Sequence, residues 1–250
     1  VLFAVGAYAA AVLSDGSWAG LACAGVLGTA AAAAAGGLLS VGLVPLAGRG
    51  HLMQALFTFG VALVLGALLV LVFGPDELRP MIPPVLDQPV HIGGRRYPAY
   101  RLVFIGAAGV IGAVGWWLLA RTRFGARVRA MRDDPQMLAC LGTSPRVMLA
   151  GVMATGGGLA GLAGVLGAPI IGAGPRTGEL VLLLSLSVGV VGGLGSVAGA
   201  LAAAVLVGQV QTVGVLLAPT LAPYLLFGSM AAALLLRRRP ARSQPSGGQP

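Results

Sequence analysis

Apolar residues run along this chain in long, nearly uninterrupted blocks, and polar residues collect in the gaps between them. The blocks fall at roughly 1–13, 17–43, 52–73, 102–120, 147–168, 179–193, 197–217 and 221–236. A helix of about 20 residues spans the ~30 Å hydrocarbon layer of a bilayer. The pattern therefore predicts an all-α protein, a polytopic transmembrane helical bundle of about eight helices. A membrane β-barrel would alternate apolar and polar residues along each strand, and these blocks do not. The first block opens at Val1 with no basic stretch before it, which is not a signal peptide. The expectation is a chain truncated at its N-terminus.

Composition agrees with the pattern. The 250 residues are 57% hydrophobic and 9% charged, and the mean hydropathy is +0.93. A soluble helical protein of this size needs far more charge to cover its surface. Lysine is absent, and alanine and glycine are abundant. A coding bias toward Arg, Ala and Gly accounts for that, so the net charge of +9 is no nucleic-acid signature. Cys23 and Cys140 show neither metal-ligand spacing nor a disulfide framework.

The placement of charge carries more information than its sum. When the connections are assigned to alternate sides, eleven arginines lie on one side and five on the other. The richer side holds Arg49, the segment 121–146 and the 237–242 tail. The excess of arginine marks the cytoplasmic face. It predicts the 121–146 segment and the C-terminus inside and the Pro-rich 74–101 loop outside. Domain organisation follows: a membrane domain over 1–239 with a cytoplasmic loop at 121–146, then a disordered cytoplasmic tail at 240–250, rich in Pro, Gly and Ser.

No Asp, Glu, Lys, Arg or His falls in the middle of a predicted span. Proton-driven carriers hold their coupling ion on such groups at the membrane centre, so that class is disfavoured. No catalytic constellation, metal-binding set or phosphate loop is present, so no enzymatic activity and no cofactor are expected. Gln209, Gln211 and Thr212 form the most polar cluster within a span. They either line a substrate path or bridge neighbouring helices. Gly157 and Gly161 are spaced for close helix approach, as are Gly195 and Gly199. The cluster at 156–161 predicts a tightly packed helix.

The segment 121–146 stands apart because it carries a helix signal of its own. Asp134 is a capping residue and Pro135 suits the first helical position. Gln136 to Leu141 supply about two turns, and Gly142 supplies a stop. Met137, Leu138 and Leu141 share one face, with Ala139 and Cys140 between them. Such a helix either docks in a groove on a partner or lies on the bilayer, with Arg127, Arg129 and Arg132 on lipid phosphates.

The residues Arg121-Thr122-Arg123-Phe124-Gly125, Arg129-Ala130, Asp134-Pro135 and Leu141-Gly142 follow one another in a fixed order. They are succeeded by the Gly-rich helix at 156–164, the break Gly192-Gly193-Leu194-Gly195-Ser196 and Gly199-Ala200. Upstream lie Gly6-Ala7-Tyr8, Pro45-Leu46 before Gly50, and Gly93-Gly94. Over about residues 3–239 this order resembles the permease subunit of branched-chain amino acid ABC importers, the LivH/LivM type. The chain departs from that pattern in lacking a further N-terminal helix and an Asn-x-Ala-His-Gly-type segment, and in carrying Met137-Leu138 and Thr143 where Ala-Ala and Ile are usual.

The resemblance implies a permease that moves branched-chain or hydrophobic amino acids while a separate subunit hydrolyses ATP. It implies ABC ATPase subunits, a second permease subunit in a homo- or heterodimer, an extracytoplasmic substrate-binding protein and the lipid bilayer of a bacterial inner membrane as partners, with no nucleic acid. By the same resemblance Asp134, Pro135, Gln136, Met137, Leu138, Ala139, Leu141 and Gly142 match the ATPase-coupling helix. Gly192, Gly193, Gly195 and Ser196 match a cytoplasmic turn. Two further readings remain open: the same architecture carrying urea, amides or sugars, and a stand-alone channel or secondary carrier. In the 74–101 loop, Arg79, Arg95 and Arg96 are either contacts for the binding protein or solvated charges.

Overall fold

The computed structural model describes residues 1–46, 50–87, 89–92, 95–133, 144–193, 196–217 and Gly228. The predicted segment 221–236, apart from Gly228, and the 240–250 tail lie outside these residues. The chain divides into two units, Val1–Leu182 and Leu183–Pro250.

In the first unit, α1 spans Leu2–Leu13 and α2 spans Trp18–Leu43, running on into a 3-10 turn at Val44–Leu46. Ser17 caps α2, its hydroxyl accepting from the Gly20 amide at 2.9 Å. Helix α3 covers His51–Phe73, a single turn α4 covers Pro84–Asp87, and α5 covers Ala99–Arg121. After α6 (Arg123–Asp133) comes α7 (Pro145–Ile171), with Ser144 at its N-cap and Pro145 in its first turn. Helix α8, Thr177–Gly192, begins in this unit and continues into the second, where α9 spans Val197–Leu217. Among the described residues, five helices are long and apolar enough to cross a membrane: α2, α3, α5, α7 and α9. Helices α1 and α8 are apolar but shorter.

The first unit is organised by α1, α2 and α7, which meet through small residues. Gly6 and Gly164 of the α1–α7 contact, and Gly36 and Gly157 of the α2–α7 contact, each face the backbone of the opposing helix. A methyl on Gly157 would stand 2.5 Å from the Ala32 carbonyl oxygen. In a bilayer no hydrophobic drive gathers helices, so close dispersion contact between backbones does that work. The core is correspondingly small in residue size: Ala4, Ala7, Ala10, Ala24 and Ala168, with Tyr8 and Val165 as its largest side chains. Helix α3 joins it through Phe73, whose ring stacks on Tyr8 with centroids 5.0 Å apart. Helix α5 is tied on by the Tyr100 hydroxyl, which donates to the Leu166 carbonyl at 2.6 Å. The apolar stretches of α3 and α5 bury no residue inside the chain, as suits surfaces that face lipid or another subunit.

One end of this unit is closed by the segment after α3. Leu78 pairs with Ala173 through two backbone hydrogen bonds of 2.8 Å, and Asp15 bridges to Met81. The Ser14 hydroxyl donates to the Met81 carbonyl at 2.7 Å. Gly172, at φ +86°, ends α7 in a backbone region that side chains disfavour. Beyond, β1 (Pro89–Ile92) and β2 (Arg95–Pro98) form an antiparallel hairpin with Val90 opposite Tyr97. The pattern of apolar blocks predicts only a Pro-rich loop here. The hairpin is a local addition to a helical bundle, with strands too short to register as an alternating run.

Candidate functional site

The α5–α6 corner is built from the Arg-Thr-Arg-Phe-Gly stretch. Thr122 breaks α5, and its hydroxyl donates to the Leu118 carbonyl while accepting from the Gly125 amide at 3.3 Å. Gly125 then lies against the Leu119 backbone: a methyl there would sit 2.5 Å from the Leu119 carbonyl carbon. Arg129 reaches back from α6 and donates to the Leu119 carbonyl. A guanidinium at the end of α5 satisfies a carbonyl the helix leaves without an internal partner and complements the negative end of its dipole. On the other side, the Phe124 ring lies next to Gly151 of α7. Phe124, Val128 and Met131 are partly buried along one face, while Arg123, Arg127 and Arg129 are exposed.

The expected coupling residues, Asp134 to Ala139 with Leu141 and Gly142, lie outside the described residues. Their two anchors are placed. Helix α6 ends at Asp133, and α7 starts after Ser144. Helix α6 itself is a feature the sequence reading misses, since it puts the helical signal only at 134–142. Its signal is the spacing of Phe124, Val128 and Met131 at i, i+4, i+7, hidden among arginines.

In the second unit, Gly193 takes φ +85° after α8. Its carbonyl accepts from the Ser196 amide at 3.3 Å. Ser196 caps α9: its hydroxyl accepts from the Gly199 amide at 3.1 Å and its carbonyl from the Ala200 amide at 2.9 Å. Gly192 and Gly199 stand face to face, so that a methyl on Gly192 would lie 2.6 Å from the Ala200 α-carbon. Of the predicted turn residues, the structure joins Gly192, Gly193 and Ser196 in one tight break, while Gly195 lies outside the described residues.

Gln209, Gln211 and Thr212 are not brought together. Ala203, Val207 and Gly214 form the buried stripe of α9, and Gln211 is half-buried beside it. Gln209 points away from that stripe and is exposed. The Thr212 hydroxyl is used within its own helix, donating to the Gly208 carbonyl at 2.8 Å. Cys23 is a free thiol on the outer surface of α2. Among the described residues no cluster of His, Cys, Asp or Glu could hold a metal ion, and no charged residue is buried.

Long apolar helices with outward-facing aliphatic residues, packed through glycine, define a multi-pass helical membrane protein. The chain belongs to the family of the branched-chain amino acid transport system permease component, whose sequence profile matches residues 1–236. Neither comparison with curated proteins nor comparison with solved structures returned a match.

Proposed function

We propose that this chain is the membrane-spanning permease subunit of an ABC importer for branched-chain and other hydrophobic amino acids, with ATP hydrolysed by a separate subunit. The family match across residues 1–236 carries the reading. The absence of buried charge among the described residues supports it, since uphill transport then draws its energy from a partner. The chain sits in a bacterial inner membrane with the 121–146 segment and the C-terminus in the cytoplasm, as the arginine distribution favours. Its partners are two ATPase subunits, a second permease subunit and an external substrate-binding protein.

Residues 134–142 are the docking element in this reading. The α5–α6 corner supports it, because Gly125 and Arg129 fix the direction in which the chain enters that stretch. A coupling element transmits force only if its base is firm. The test is co-purification with tagged ATPase subunits from the same operon, with and without deletion of 134–142. Retention lost on deletion supports the reading. No retention of the intact full-length chain, or solute flux from the chain reconstituted alone, sinks it in favour of a channel or carrier.

A further inference from the structure

Helix α6 carries a short basic stripe at the end of the bundle where α5 stops. At 3.6 residues per turn, Phe124, Val128 and Met131 share one narrow arc of α6, the arc that is partly buried. Arg123 and Arg127 lie one turn apart along one flank of that arc. Arg129 lies on the other flank, where its guanidinium is spent on the Leu119 carbonyl. Arg123 and Arg127 are exposed, and among the described residues neither side chain has an ion-pair or hydrogen-bond partner. The elements beside them add positive charge: Arg121 closes α5 and Arg146 stands in the first turn of α7, both exposed. The acidic position of α6 is Asp133 at its far end, ~15 Å of helix from Arg123.

A second observation fixes the depth of the stripe. Trp116 and Trp117 of α5 are 44% and 57% exposed. Outward-facing tryptophans of membrane helices gather where hydrocarbon meets headgroups. Trp117 precedes Arg121 by ~6 Å of helix, so α5 leaves the hydrocarbon in its last turn. Gly125 and Arg129 hold the start of α6 against Leu119, between those two residues. The stripe therefore stands at the level of lipid phosphates. Arginine suits that place, because its guanidinium fork matches phosphate oxygens and its apolar stem tolerates the boundary.

We propose that Arg123 and Arg127, with Arg121 beside them, form a binding site for the headgroup of an anionic phospholipid at the α5–α6 corner. The lipid phosphate accepts from both guanidinium groups, and it relieves the like-charge repulsion of two arginines one turn apart. Bound lipid thus braces the base from which the 134–142 stretch departs. A zwitterionic lipid brings the same phosphate with a compensating cation, so the site discriminates by net charge. The proposal stands on the membrane fold alone, whichever solute the chain carries.

The experiment is tryptophan quenching by brominated lipid in proteoliposomes of the full-length chain. Trp18, at the start of α2, is removed by Trp18→Phe, so that Trp116 and Trp117 report. Brominated phosphatidylglycerol diluted into phosphatidylcholine should bind beside them with a preference on the order of twentyfold over brominated phosphatidylcholine, about fivefold for each of the two arginines. Arg123→Gln with Arg127→Gln should bring the two lipids to within about twofold of each other. Arg123→Lys with Arg127→Lys should keep most of the preference, since the charge remains, and this separates lost phosphate binding from lost folding. Equal quenching by both lipids with the arginines intact overturns the site. Parity in the lysine pair as well as the glutamine pair also overturns it, because charge is then not what holds the lipid. A preference that survives the glutamine pair overturns it too. If that pair instead loses the ATPase subunits on co-purification, the stripe belongs to a protein partner.

Discussion

Gly6 of α1 lies on Gly161 of α7 backbone to backbone: a methyl on Gly6 would stand 2.7 Å from the Gly161 carbonyl carbon. No side chain lies between them that could rotate away. Replacing Gly6 by Val thus forces the helices apart, at a cost at the upper end of the ~1–3 kcal/mol of overpacking or beyond. A fall in the thermal midpoint of the detergent-solubilised protein measures it.

Neighbouring glycines of α7 give a matched pair for the same argument. Gly157 faces the Ala32 carbonyl, whereas Gly156 has nothing within 4 Å of where a side chain would begin. Gly157→Leu should lower the yield of folded protein and its melting midpoint by an amount comparable to Gly6→Val. Gly156→Leu should leave both near the wild-type value. Equal damage from the two would mean that the helices are not in this register.

At the α5–α6 corner, Arg129→Ala removes the guanidinium from the Leu119 carbonyl. The local cost is about 1 kcal/mol. Cleavage of the 121–146 segment by added trypsin should quicken in membrane vesicles, with insertion unchanged. Gly125→Val, which strikes the Leu119 backbone, should quicken it further. A cleavage rate indifferent to both would show that the corner is not held by these contacts.

If 134–142 docks in a groove on the ATPase, a charge on its apolar face is intolerable there. Met137→Arg should cut ATP-driven uptake by on the order of tenfold or more, while the protein stays in the membrane. ATP hydrolysis should lose its stimulation by the loaded binding protein. Normal coupling in this variant would dismiss the docking element.

Ser196 offers a separate check on the break between α8 and α9. Ser196→Ala takes away the acceptor of the Gly199 amide and should cost about 1 kcal/mol. Ser196→Asp should restore most of it. Urea or thermal titration of the three proteins ranks them directly.

The spans were legible because bilayer thickness sets a length that apolar runs must match. The block at 197–217 and helix α9 coincide, and the block at 17–43 differs from α2 by one residue at its start. The tight packing expected at 156–161 is likewise found. What spacing could not reveal is which glycines touch, since Gly156 and Gly157 read alike until the partner helix is in place. Helix α6 was hidden for a different reason. Its arginines lower the apolar signal, and its register is set by Phe124 meeting Gly151 across the bundle. Of the candidate residues, the Gly192–Ser196 break was visible from its glycines. The stacking of Phe73 on Tyr8 was not, because it depends on where α3 meets α1.

Contacts made by backbone rather than by side chains have no alternative rotamers. Where α1, α2 and α7 meet through backbone they form a post that cannot re-pack gradually, because displacing one helix there breaks the contact outright. Within the first unit, α3 and α5 rest against that post through a few side chains such as Phe73 and Tyr100. Displacing either of them would disturb far less packing than displacing α1, α2 or α7.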